Sequence, residues 1–262
     1  TSFEDAALGL TDMEAEDAFA LSLVQKKAFD PSVIAEQKAG ALLRQSQLQV
    51  NRFQERFSDL GGLEVMKEYT LKTAKSPLAK GILIMGVPGT GKSSFAKALG
   101  NMLGVPTLSL DIGRMMGSLV GQSEANMRNA LKAIDAMGRC VIFLDEVEKG
   151  LAGTKSSGET DSGTKAGVGG TLLKWLSDRE PGRAYLVATC NNIQGLPPEY
   201  LRSGRWDSLW FVDLPNREEK EAIWNIHQAR YDRGGDRPDD EGWTGADIQA
   251  CCVTAAMMKC AC

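Results

Sequence analysis

One eight-residue stretch constrains this chain more than any other. Gly86-Val87-Pro88-Gly89-Thr90-Gly91-Lys92-Ser93 follows the apolar run Gly81–Met85 and opens a helical pattern. Glycines let such a loop wrap until its backbone N–H groups converge on a phosphate, and the helix behind it adds the positive end of its dipole. Lys92 is then placed to reach the β/γ-phosphates, and the Ser93 hydroxyl to hold a magnesium ion. The expected phosphate-binding set is Pro88, Gly89, Thr90, Gly91, Lys92, Ser93 and Ser94, with ATP or ADP and Mg2+ as ligands. A turn of this kind joins a strand to a helix, so it commits the chain to a parallel α/β sheet.

A second segment complements the first. Val141-Ile142-Phe143-Leu144 reads as a buried strand, and Asp145 and Glu146 emerge from its C-terminal end, where α/β sheets gather their ligands. Asp145 is expected to orient the magnesium shell, through water, and Glu146 to polarise an attacking water. Alone, an apolar run ending in two carboxylates is weak; beside the glycine loop it gains force.

Strand-like runs at Gly81–Met85, Thr107–Asp111, Cys140–Asp145, Tyr185–Cys190 and Leu209–Asp213 alternate with helical stretches. The expected fold is an α/β P-loop domain, a three-layer α/β/α sandwich with a parallel sheet, over residues 58–215. Residues 1–57 carry no strand-like alternation and read as a helical N-terminal extension. Thr11 and Glu14 form a capping-box signal before a run with Phe19, Leu23 and Val24 on one side, and Asp30-Pro31 offers a second start. Residues 216–262 read as a small helical lid, starting at the Asn216 cap and restarting at Thr244. Gly150–Gly170, rich in Gly, Ser, Thr and Lys, reads as a mobile loop.

Composition excludes more than it assigns. Thirty basic against thirty-four acidic residues leave a net charge of −4, a poor footprint for binding nucleic-acid phosphates. No apolar run reaches the roughly 18 residues of a membrane span, and no leader pattern opens the chain. The expected location is therefore the cytoplasm or an equivalent reducing compartment. The six cysteines form no CxxC pair; Cys140 and Cys190 flank strands, Cys251, Cys252, Cys260 and Cys262 share one helix, and all read as buried, reduced thiols. His227 is the single histidine; a catalytic triad or a multi-histidine metal site would have to be built around it, and nothing nearby supports that.

With these residues in view, the chain from about Phe57 onward resembles the AAA subfamily of AAA+ ATPases. Phe57-Ser58-Asp59-Leu60-Gly61-Gly62 is similar to the entry segment that frames the adenine, which brings Asp59 and Gly61 into the nucleotide site. Ala188-Thr189-Cys190-Asn191 resembles the segment whose Asn positions the hydrolytic water. Leu201-Arg202-Ser203-Gly204-Arg205-Trp206-Asp207 resembles the second region of homology, with Arg202 and Arg205 at the family's spacing beyond Asn191. Such arginines reach into the neighbouring subunit's site, so the resemblance implies a homo-oligomeric ring of six. His227 resembles the lid histidine that contacts adenosine, although its spacing alone reads as a surface position. Gly245-Ala246 resembles the Gly-Ala that replaces a second-sensor arginine.

The finer resemblance is to AAA ATPases of cyanobacterial and plastid genomes and their bacterial and phage relatives. It is carried by Gly117–Asn126, Leu196–Arg202 and Gly9–Glu16, and it adds the plastid stroma as a possible compartment. The family's first pore loop usually carries an aromatic residue where this chain has Leu119, followed by Val120. The Leu63–Lys80 connection is also shorter than in relatives, and the lid is expected to continue past Cys262. The resemblance implies an ATP hydrolase that remodels or disassembles a protein client, directly or through an adaptor. Two alternatives stand beside it: a nucleotide-gated binding module that docks a partner without threading it, and a DNA- or RNA-remodelling ATPase.

Overall fold

The structure is a computed structural model that describes residues 10–30, 33–34, 37, 40, 48–51, 53–115, 122–151, 160–232 and 234–260. Six strands form one sheet: β1 (Gln49–Asn51), β2 (Gly81–Gly86), β3 (Thr107–Ser109), β4 (Cys140–Leu144), β5 (Ala184–Cys190) and β6 (Ser208–Val212). Their order is β1-β3-β4-β5-β2-β6. The last five run parallel, so their C-terminal ends lie along one edge. This is the α/β sandwich that the strand–helix alternation requires.

Both faces of the sheet are covered, which explains the unbroken apolar strands. On one face Ile82, Ile84, Val141, Phe143, Tyr185 and Val187 pack with Phe95 and Leu99 of helix α3 (Lys92–Leu103) and Met66 of α2 (Glu64–Thr73). On the other, Leu83, Ile142, Leu144, Leu186 and Ala188 meet Met127 and Ile134 of α5 (Gln122–Met137) and Leu172 and Leu176 of α7 (Thr160–Asp178). Two shorter helices, α4 (Ile112–Met115) and α6 (Val147–Leu151), fill that second layer. Helices α8 (Arg217–Tyr231) and α9 (Gly245–Met258) form the lid and bury Ile223, Trp224, Ile248 and Cys252 between them. Each begins at a reciprocal capping box, Asn216 with Glu219 and Thr244 with Asp247.

Four sequence expectations need correction. The first strand, β1, lies within the stretch read as wholly helical and pairs antiparallel with β3. Its three residues are too few to show alternation, and Gln49 and Asn51 are polar because the strand sits at the sheet's edge. In α1 (Asp12–Lys26) the Thr11–Glu14 box forms as expected, but Ala18 and Ser22 are buried while Leu23 and Val24 face solvent. The Ser22 hydroxyl earns its burial by donating to the Ala28 carbonyl at 3.0 Å and accepting from the Asp30 amide at 2.6 Å.

Gly150–Gly170 is not all loop, for α6 reaches Leu151 and α7 begins at Thr160. Glycine and polar residues disguised the first turns of α7, whose buried positions Val168, Leu172 and Leu176 follow helical spacing. The fourth correction concerns thiols: α9 ends at Met258, so Cys260 lies beyond it and is exposed rather than buried, and Cys262 is outside the described residues.

The sheet leaves no room at the start of β2. A Cβ on Gly81 would lie 2.1 Å from the Leu186 carbonyl oxygen, and its φ is +139°. Gly81→Ala should therefore lower stability by about 3 kcal/mol. Denaturant unfolding of the two proteins checks this; a loss under a tenth of that size would refute the close approach.

Candidate active site

The glycine loop leaves β2 through backbone conformations that side chains disfavour. Gly86, Gly89 and Gly91 have φ of +143°, +82° and +88°. At Gly86 a Cβ would sit 1.9 Å from the Val212 carbonyl oxygen, so β6 holds the loop's root against its neighbour. Lys92, the first residue of α3, is buried, and its ammonium donates to the carbonyls of Gly86 at 3.0 Å and Val87 at 2.6 Å. Burial lowers its pKa, while the nearby Glu148, Asp145 and Glu146 oppose that shift. The amine thus waits at the loop, a cation held where phosphate oxygens would replace the carbonyls.

The carboxylates Asp145 and Glu146 follow the end of β4, where Leu144 lies opposite Ala188 and the neighbouring β5 continues to Cys190. The Ser93 hydroxyl donates to Asp145 Oδ1 at 2.8 Å. Because that bond uses the serine proton, the lone pairs of Ser93 Oγ remain available to a metal. A hydroxyl and a carboxylate are hard oxygen donors, so this pair fits Mg2+. Glu146 Oε1 accepts from the Asn191 side-chain amide at 2.7 Å, and Lys149 pairs with its other oxygen. This pairing raises the pKa of Lys149. Glu146 itself has φ +47°, in the left-handed region that costs a non-glycine residue about 1–2 kcal/mol.

These groups border a cavity of about 450 Å³ between core and lid. Every position expected to bind nucleotide lines it except Asp145, which stands one hydrogen bond behind Ser93: Asp59 and Gly61 from the entry segment, the run 88–94, and His227, Gly245 and Ala246 from the lid. Glu146 and Asn191 line it too. Lid and core meet by close contacts. The Ala246 amide donates to the Gly89 carbonyl at 3.0 Å, and a Cβ on Gly61 would lie 2.6 Å from the Ile223 nitrogen. His227 is buried rather than on the surface, and burial and Arg230 both lower its pKa. Its Nδ1 has no hydrogen-bond partner, a polar atom left for a ligand to satisfy.

Neither Arg202 nor Arg205 lines this cavity. Arg202 is exposed, and Arg205 donates from Nε to Ser177 Oγ of α7 at 3.3 Å. Their loop is fastened to the root of β2: Asp207 accepts from the amides of Lys80 at 2.9 Å and Gly81 at 2.8 Å. Leu119 and Val120 lie outside the described residues.

Sequence reading missed several participants. Arg230 pairs with Asp59 at 3.2 Å across the cavity mouth, and Ile223, Gln249 and Glu55 also line it. Glu148 is buried and accepts from the Asn191 amide at 3.0 Å, steadying the strand end that carries Asn191. Two carboxylates spaced two apart after a strand were the available signal for Glu148; nothing local marked Arg230. Cys190 lies among these groups with its thiol pushed up to about 12 by burial and by Glu148, so it is no nucleophile at neutral pH. Among the described residues no cluster of three or more His, Cys, Asp or Glu is built to hold a metal.

The profile of the "ATPase family associated with various cellular activities (AAA)" matches residues 82–214, just over half of the chain. The chain is 42% identical over 182 residues to the "Uncharacterized AAA domain-containing protein ycf46" of Pyropia yezoensis, covering 66% of this chain and 36% of that protein. Its identity to the protein of the same description in Guillardia theta is 39% over 182 residues, covering 66% and 35%. More distant is the "Cell division cycle protein 48 homolog" of Archaeoglobus fulgidus, 30% identical over 227 residues and covering 78% and 30%. The chain spans about a third of the length of these curated relatives.

Lys92→Ala should weaken binding of a fluorescent ADP analogue by at least about tenfold, which is 1.4 kcal/mol. The fold should survive, because the ammonium only bridges two loop carbonyls. Titration by fluorescence anisotropy checks it, and unchanged affinity would remove Lys92 from the phosphate site.

Proposed function

The chain belongs to the AAA family of ATPases, and from that premise we propose that it hydrolyses ATP with Mg2+ at the subunit interfaces of a six-membered ring. The ring uses this work to remodel or disassemble a protein partner. The observation that carries the proposal is the pairing of Glu146 with Asn191 at 2.7 Å inside a cavity that neither Arg202 nor Arg205 enters.

In this reading the backbone of residues 88–91 and the Lys92 ammonium hold the phosphates, and Ser93 and Asp145 hold Mg2+, the latter through water. Bound there, Mg2+ would neutralise charge on the phosphates. Glu146 takes the proton of the attacking water, and the Asn191 amide holds that carboxylate toward the γ-phosphate. Lys149 sits on the other Glu146 oxygen from the solvent side and must yield it when water binds. His227, Gly245, Ala246, Asp59 and Gly61 enclose the nucleoside.

Within one chain, the cations lining the cavity among the described residues are Lys92, His227 when protonated, and Arg230, which is engaged with Asp59. Negative charge building on the γ-phosphate therefore calls for a guanidinium from outside. Arg202 and Arg205 of a neighbouring subunit would supply it, a planar fork suited to phosphoryl oxygens. The free thiols Cys140, Cys190 and Cys260 suit a reducing compartment, the cytoplasm or the plastid stroma. Among the described residues no helix is long and apolar enough to cross a membrane. The acidic balance keeps nucleic acid out of the proposed partners.

Two inactive variants test the shared site. Glu146→Gln should lower turnover by at least about 100-fold while still binding ATP. Arg202→Ala should lower it by on the order of 10³-fold. Mixed in one ring, the two should recover activity that neither has alone, because an Arg202→Ala subunit keeps its own Glu146 and can borrow an arginine. Full activity of Arg202→Ala would sink the shared-site reading, as would failure of the mixture to recover any.

A further inference from the structure

At the join between β4 and β5, one side chain touches both carboxylate-bearing residues from behind. Thr189, on β5, is 1% exposed. Its Oγ1 lies 2.5 Å from Asp145 Oδ1 and 3.0 Å from the Glu146 amide nitrogen. The polarity of these bonds is fixed by chemistry. An amide N–H can only donate and a carboxylate only accept, so the hydroxyl gives its single proton to Asp145 and takes the Glu146 N–H on a lone pair.

Both contacts bear on the geometry of the site. Ser93 donates to the same Asp145 oxygen at 2.8 Å, so Oδ1 is held from two sides and the carboxylate cannot rotate freely. The amide contact holds Glu146 at φ +47°, the backbone turn that brings its side chain within 2.7 Å of the Asn191 amide. Left to itself, a non-glycine residue prefers to leave that region, and at the end of a strand it has few bonds to stop it.

We infer that Thr189 is a positioning residue: its hydroxyl sets the orientation of Asp145 toward the metal and the backbone strain that aims Glu146 at the attacking water. It touches neither nucleotide nor reacting atoms. The inference rests on the proposed reading of the site as an Mg-ATP hydrolysing centre. Its selectivity is its signature, since it acts on the metal and the base but not on the loop that holds the phosphates.

The test compares Thr189→Val, which keeps the branched shape and loses the hydroxyl, with Thr189→Ser, which keeps the hydroxyl. In the valine variant turnover should fall about 10- to 100-fold, the usual effect of losing a group that orients a metal's ligands. The Mg2+ concentration that half-saturates tightening of fluorescent ADP should rise, while ADP affinity without Mg2+ stays as in the unaltered protein. Hydrogen exchange of the Glu146 amide in the nucleotide-free protein should speed up. The serine variant should restore all three. A valine variant with ordinary turnover and Mg2+ dependence overturns the inference, and so does equal impairment of both variants, which would mark a packing role. If the unaltered protein hydrolyses no ATP, the proposed function fails by itself. Amide exchange and the Mg2+ dependence of ADP binding then still decide on Thr189.

Discussion

The site depends on the register of two parallel strands, β4 and β5, of which β5 runs two residues further. Because Leu144 pairs opposite Ala188, the residues that follow, Asp145 and Glu146 on one side and Thr189 to Asn191 on the other, meet at hydrogen-bonding distance. A slip of one residue would turn each side chain to the opposite face and dissolve every one of those contacts. The register in turn is secured by apolar residues buried on both faces of β4 and β5, so the core itself sets the spacing of the carboxylates. Charged groups that gather in one place rarely stabilise a fold; here the sheet holds them together.

Much of this was legible in residue order because the chemistry demands particular residues at particular offsets. The glycines at 86, 89 and 91 each stand where φ is positive, and the pattern of residues alone placed Lys92 and Ser93 at the helix start. Asp145 and Glu146 were readable as the polar end of an apolar strand, and the lid's two starts were readable from Asn216 and Thr244.

What escaped was whatever needed a distant partner. Edge strand β1 has no periodicity of its own and exists because β3 offers it a free edge. The start of α7 was masked by glycine and hydroxyl residues, and tertiary packing overrode that local preference. Thr189 stands in a segment legible for its Asn191 alone and Glu148 carries no motif, since the importance of both lies in what stands across the strand from them. Arg230 meets Asp59 only after the lid has folded over the core. The tightest restriction on Gly61 likewise comes from a helix far along the chain, Ile223 in α8.

That last group of contacts has a thermodynamic consequence. The lid touches the core through the walls of the cavity: Arg230 on Asp59, the Ala246 amide on the Gly89 carbonyl, and α8 against Gly61. A ligand that fills the cavity touches both walls, so if its affinity differs between two angles of lid against core, it shifts their balance by that difference in free energy. Reciprocity then holds by necessity: anything that grips the lid from outside and fixes its angle must change the affinity for that ligand by the same factor. The lid can thereby serve as a handle as well as a cover, since α9 meets the phosphate loop backbone to backbone, from the Ala246 amide to the Gly89 carbonyl.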